Sequence, residues 1–159
     1  MSVRRSLLTL AVGAVLGAGP VLASPAPAAP PNHGSRTLAA VLTGRQEVPG
    51  PGDANGWGAA NVRVWPWSGR VCYTLFAQRV DGTVNGAHLH VGPAGQSGGV
   101  EAPLEPPVLG WSRGCTVITT NVARQLARWP GRYYVNVHST AFPNGAIRGQ
   151  LFGQRWSRR

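Results

Sequence analysis

His88 and His90 stand two residues apart in an alternating segment, Ala87-His88-Leu89-His90-Val91. In a strand, residues two apart leave the same face, so both imidazoles point to one side. His138 ends a second segment of strand character, Tyr133-Tyr134-Val135-Asn136-Val137-His138. Two imidazoles on one strand and a third from a neighbour form a three-nitrogen donor set, which suits copper or zinc. The same rings could instead hydrogen-bond backbone groups of the adjacent Gly-rich stretch and of the turn after Val137, holding both in place. The residues alone leave both readings open. His33 lies in a proline-rich stretch and takes no role.

Cys72 and Cys115 are the two cysteines of the chain. Behind an export signal, two cysteines most simply form one disulfide. Closing a loop of this size contributes on the order of 3–4 kcal/mol in an unstrained bridge. A thiol nucleophile is the weaker reading, because it leaves the other cysteine unexplained.

Little else in the chain assembles a catalytic set. The five acidic residues, Glu47, Asp53, Asp81, Glu101 and Glu105, fall mostly in turns and do not suggest a hydrolytic pair. No serine sits in a nucleophile elbow, and the glycines from Gly92 to Gly99 follow a strand without opening a helix, so they do not read as a phosphate cradle. Among the tryptophans, Trp65 and Trp129 read as core or turn packing. Trp57 and Trp111, near Gly-rich turns, are the candidates for exposed platforms.

All fifteen basic residues are arginine, and the formal charge is +10. Without Arg4 and Arg5, thirteen basic groups face five acidic ones, a balance of +8. Such a surface attracts polyanions, an anionic cell-wall polymer among them. The arginines are spread along the chain, which argues against a specific nucleic-acid reader. The dense patch is the tail at 154–159.

The elements that position these residues begin after a targeting segment. Residues 1–23 read as a signal peptide: Arg4-Arg5, an apolar stretch from Leu7 to Ala18, and a small-residue site at Val21-Leu22-Ala23. The paired arginines leave the general secretory and twin-arginine routes both open. No transmembrane segment is expected after cleavage. Residues 24–36 are a Pro-rich linker, and 37–153 form the domain.

Within the domain, strands are expected from Leu38, from Ala60 to Trp65, from Val71 to Val80 and from Val84 to Val91. Later ones follow at Cys115 to Thr119, Tyr133 to His138 and Ala146 to Phe152. One segment has helical period instead. Val122, Leu126 and Trp129 recur at i, i+4 and i+7, with a capping oxygen at Thr120-Asn121 and a stop at Pro130-Gly131. The spacing predicts a short helix near 121–129 with those three residues in the core. The fold class is all-β, an antiparallel Greek-key sandwich or barrel, superoxide-dismutase-like or Ig-like, with that one helix.

Three blocks then acquire a common meaning. Glu47-Val48-Pro49, Gly86 through Gly95, and Tyr134 through Ser139 followed by Pro143 through Leu151 resemble, in the same order, the CHRD (chordin-type) family. That family includes stand-alone exported bacterial proteins. The resemblance implies an all-β extracellular module and brings no enzyme activity or ligand with it. It draws Glu47, Asn136 and Arg148 into the picture as groups that would orient the histidines or hold the structure. The His-x-His strand also resembles the copper strand of copper/zinc superoxide dismutases. The chain departs from them in its three domain histidines, too few for paired copper and zinc sites.

The expectation is an exported CHRD-domain protein, secreted or held in the cell envelope. It acts as a non-enzymatic binding or structural module whose partner is an anionic cell-wall polymer or another extracellular protein. The alternative is a copper- or zinc-binding protein using His88, His90 and His138, with a metal-handling or redox role.

Overall fold

Alternation dictates most of the architecture. In the computed structural model, which describes residues 34–153, the segment beginning at Leu38 is strand β1 (Arg36–Thr43), with Leu38, Ala40 and Leu42 buried. It is followed by β2 (Trp57–Val64), β3 (Arg70–Gln78), β4 (Val84–Val91), β5 (Val100–Leu104) and β6 (Trp111–Val117). Helix α1 (Thr120–Arg128) precedes β7 (Tyr133–Ser139), β8 (Ile147–Gln150) and β9 (Phe152–Gly153). The expected signal peptide, most of the linker and the basic tail lie outside the described residues. Among the described residues, no helix is long and apolar enough to cross a membrane.

The strands form one antiparallel sheet in the order β5-β4-β7-β8-β1-β2-β3-β6, with β9 also pairing β1. The sheet curls into a nearly closed barrel, which agrees with the all-β class and, among the described residues, with one short α-helix. Every second residue turns inward, and the core is built from these positions: Val62 and Val64, Val71 and Leu75, Ala87 and Leu89, Val135 and Val137. The chain just past edge strand β5 is tied to β3 and to the other edge, β6, through side chains. The Tyr73 hydroxyl accepts the Glu105 N–H, and the Ser112 hydroxyl donates to the Glu105 carbonyl, both at 2.6 Å.

Cys72 and Cys115 are directly opposite each other in the β3–β6 register and are joined as a disulfide. The bridge spans 43 residues of sequence, yet it links neighbouring strands on the outer side of the sheet. It therefore fastens the edge strand β6 to the rest of the barrel.

Several local expectations are corrected. The helix is capped by Thr119, whose hydroxyl accepts the Val122 N–H. Its buried residues are Ala123, Leu126 and Ala127. Trp129 is not in the core. The helix stops at Arg128, and Trp129, with φ −132° and ψ 61°, leaves the apolar stripe and lies 45% exposed beside Arg128 and Arg132. Trp65 is only half-buried. β5 was not anticipated: it is short and contains Pro103, which an edge strand tolerates and a central one does not. The last expected strand is interrupted at Leu151 and divides into β8 and β9.

Candidate metal site on the outer face of the sheet

The period that buries Ala87 and Leu89 sends His88 and His90 to the outer face of β4. On β7 it sends Tyr134, Asn136 and His138 the same way. Cross-strand register aligns these residues: His88 faces Asn136 and His90 faces Tyr134, while Asn136 faces Arg148 and Tyr134 faces Gln150 on β8. Gly86 stands opposite His138.

This outer face is not a solvent surface. His90, Asn136 and Arg148 are all buried, because loops fold back over them. The Gly92–Gly99 loop is held by the Arg148 guanidinium, whose Nη2 donates to the Pro93 carbonyl at 3.0 Å. Gln150 Nε2 donates to the Gly92 carbonyl at 2.7 Å, and the Tyr134 hydroxyl accepts the Gly98 N–H at 3.2 Å. Under the loop the rings stack. The His90 and Tyr134 planes are 5° apart with centroids at 4.7 Å, and the Arg148 guanidinium carbon lies 3.4 Å from the Tyr134 ring centre.

The three histidines converge, and their remaining contacts set their tautomers. A carbonyl only accepts, so the 3.0 Å contact of His90 Nδ1 with the Gly98 carbonyl places the proton on Nδ1. The same logic applies to His138 Nδ1 and the Pro143 carbonyl, also at 3.0 Å. In the neutral rings, Nε2 of both residues therefore carries a lone pair. His88 Nδ1 lies 3.1 Å from His138 Nε2. His90 Nε2 is buried and meets no hydrogen-bond partner in the protein. One ligand atom from each histidine can be chosen so that all three lie within 4.8 Å of one another. Ligand nitrogens sit about 2.0–2.1 Å from copper or zinc, so an ion here would draw the rings together by roughly an ångström.

Electrostatics favours the neutral rings. Burial pushes the His88 and His90 pKa values below the ordinary histidine value, and the neighbouring His138 pushes in the same direction. Neutral imidazole is the form that binds metal.

The expected bonds from ring nitrogens to loop carbonyls are present, and the same rings form a cluster with the geometry of a three-nitrogen donor set. His90 and His138 each use one nitrogen to hold a loop carbonyl and turn the other into the cluster. Ring N–H groups bonded to carbonyls are the usual support of metal-ligating histidines.

The remaining candidates take distinct places. Asn136 lies between His88 and Arg148 in register, and its Oδ1 is buried without a protein partner. Arg148 clamps the Gly92–Gly99 loop. Glu47 is buried against Gly145 (φ +136°), where an added Cβ would run into its carboxyl group. Burial lifts the Glu47 carboxyl to about 7, against the opposing pull of Arg148. Tyr134 and Gln150 were missed as site residues. Their alternation with inward-facing neighbours on β7 and β8 was the available signal. Asp53 belongs to the scaffold, as its two carboxylate oxygens accept the N–H groups of Asn55, Gly56 and Asp81.

A family model described as CHRD domain matches residues 38–151. No curated protein and no solved structure matches the chain.

Proposed function

The chain belongs to the CHRD domain family, and from that footing we propose that it is an exported, non-enzymatic module that holds one copper or zinc ion between His88, His90 and His138. The observation that carries this reading is the buried lone pair of His90 Nε2, which meets no protein partner and lies in a cluster with two further imidazoles. Leaving a buried acceptor unpaired costs about 1–3 kcal/mol, and a bound cation removes that cost. Three nitrogen ligands suit copper and zinc, and they leave a coordination position open for exchange with a donor or acceptor molecule. Reversible metal handling fits that set better than a closed structural site.

Export is part of the same proposal. It is supported by the Arg4-Arg5, Leu7–Ala18 and Val21-Leu22-Ala23 pattern and by a disulfide, which persists in oxidising compartments. Mass spectrometry of secreted protein should find a mature chain beginning at Ser24.

The deciding experiment is metal analysis of the full-length protein purified without chelator, paired with thermal unfolding in the presence of each ion. About one equivalent of copper or zinc and a raised Tm are expected, because an ion that binds only the folded state stabilises it. Absence of both effects would sink the metal reading.

A further inference from the structure

Another stretch of the sheet, beyond β1, carries a surface of different character. Along the outward positions of β2, β3 and β6, Trp57, Phe76 and Trp111 gather at one end. The Trp57 and Phe76 rings meet edge to face at 5.3 Å, and Phe76 stands opposite Trp111 in register. Towards the other end, Arg113 faces Thr74, Arg63 faces Cys72, and Trp65 lies beside Arg70. From Phe76 to Arg70 the strand runs roughly 20 Å at its usual rise.

Three features define what this face fits. No acidic residue occurs in any of these three strands. Its arginines lie against aromatic rings: Arg63 and Arg70 at 5.6 and 5.2 Å from Trp65, Arg113 at 5.8 Å from Trp111. Such contacts limit the freedom of the guanidinium groups and reduce the ordering cost of binding an anion. Finally, two depressions flank the disulfide, one of about 320 Å³ reaching Asn61, Arg63 and Cys72, the other of about 450 Å³ reaching Trp65, Arg70 and Cys115.

We propose that this face binds an anionic polysaccharide. Aromatic faces stack on the apolar faces of sugar rings, and guanidinium forks pair with the acidic groups those sugars carry. The length of the face and its two depressions fit an extended chain of sugars better than a small solute. The positive, acid-free character selects a polyanion over a neutral glycan. A disulfide on the same face places it in an oxidising compartment, which favours a glycan over an intracellular nucleic acid. The proposal is independent of the histidine cluster.

The test measures binding of the full-length protein to immobilised polygalacturonate, with neutral dextran and a single-stranded DNA oligonucleotide as comparisons. The exposed-face variants are Arg63→Gln combined with Arg113→Gln, and Trp111→Ala. Arg124→Gln combined with Arg128→Gln on α1 removes the same charge elsewhere. Thermal unfolding checks that each variant is folded. Polygalacturonate affinity should fall roughly tenfold in the arginine pair and severalfold in Trp111→Ala, and should weaken with salt, while the helix pair changes it by less than about twofold. Dextran should bind negligibly. Equal losses in the two arginine pairs would reduce the effect to net charge and overturn the proposal. An unchanged Trp111→Ala, or an oligonucleotide bound as tightly as polygalacturonate, would overturn it as well.

Discussion

Tyr134 lies flat against His90, the two planes 5° apart, and the same tyrosine ring is covered by the guanidinium of Arg148. The histidine with the unpartnered nitrogen is therefore fixed on two sides, by the stack and by its bond to the Gly98 carbonyl. Its position does not depend on an ion arriving. The protein holds this ring in place beforehand, which would lower the ordering cost of binding an ion at the proposed site.

His90→Phe separates the two roles. Phenylalanine retains an aromatic face for Tyr134 but has neither ring nitrogen. Denaturant unfolding without metal should show a net change of no more than about 1 kcal/mol, because loss of the Gly98 bond is offset by removal of the unpaired Nε2. Calorimetric titration with copper or zinc should show at least a tenfold loss of affinity. A variant that keeps full affinity would remove His90 from the ligand set.

Arg148→Met tests the loop clamp. Arginine 148 joins the Pro93 carbonyl, the Gln150 side chain and the Tyr134 ring. Its removal should cost about 2–4 kcal/mol, since buried polar partners are left unpaired. Amide exchange should rise first within the Gly92–Gly99 loop. Uniform acceleration across the barrel would show that the arginine is not a local clamp.

Glu47 gives the stability a pH dependence of definite sign. Its carboxyl group rises from an ordinary value of 4.5 to about 7 on folding, through burial. The folded state therefore binds this proton more tightly than the unfolded state does. The resulting stability is fully present below about pH 4.5 and is lost as pH rises through about 7, a change of roughly 3 kcal/mol. Glu47→Gln should remove that component. The difference in unfolding free energy between variant and parent should shift in the variant's favour from pH 4 to pH 8. A constant difference across that range would contradict the assignment.

Gly145→Ala should be strongly destabilising, by about 2 kcal/mol or more. The position has φ +136°, and the new methyl group meets the Glu47 carboxyl. Pairing the change with Glu47→Ala should recover the contact part of the loss and leave the backbone part. Thermal unfolding of the three variants separates the two.

Replacing both cysteines, Cys72→Ala with Cys115→Ala, should lower stability by roughly 4 kcal/mol on loop-closure grounds. Denaturant unfolding of the pair variant measures it. Loss of the bridge should leave any polygalacturonate binding to the arginines and tryptophans in place.

The alternation of Leu38, Ala40 and Leu42 made β1 legible from sequence, and the two-residue spacing of His88 and His90 put both rings on one face. Pairing Cys72 with Cys115 needed only the cysteine count and an oxidising compartment. The cover over the histidines was not legible. It depends on Pro93, Gly98 and Pro143 carbonyls returning from loops, contacts that no periodicity encodes. Trp129 failed for a local reason: helical spacing reached it, but the helix ended one residue earlier. Strand β5 failed because five residues with a proline carry too little alternation to stand out from the loop before them.

The joint between β5 and β6 has a consequence for opening of the barrel. Elsewhere the barrel is laced by backbone ladders, while this line is held by Tyr73 and Ser112 side chains on Glu105. It is the line of the wall that no backbone ladder closes. After parting there, β6 stays on β3 through its ladder and the disulfide, and β5 stays on β4 through its ladder. β5 is the outer neighbour of β4, the strand that bears His88 and His90. Opening that line therefore exposes the outer edge of β5, while the β4–β5 ladder keeps the histidine strand paired.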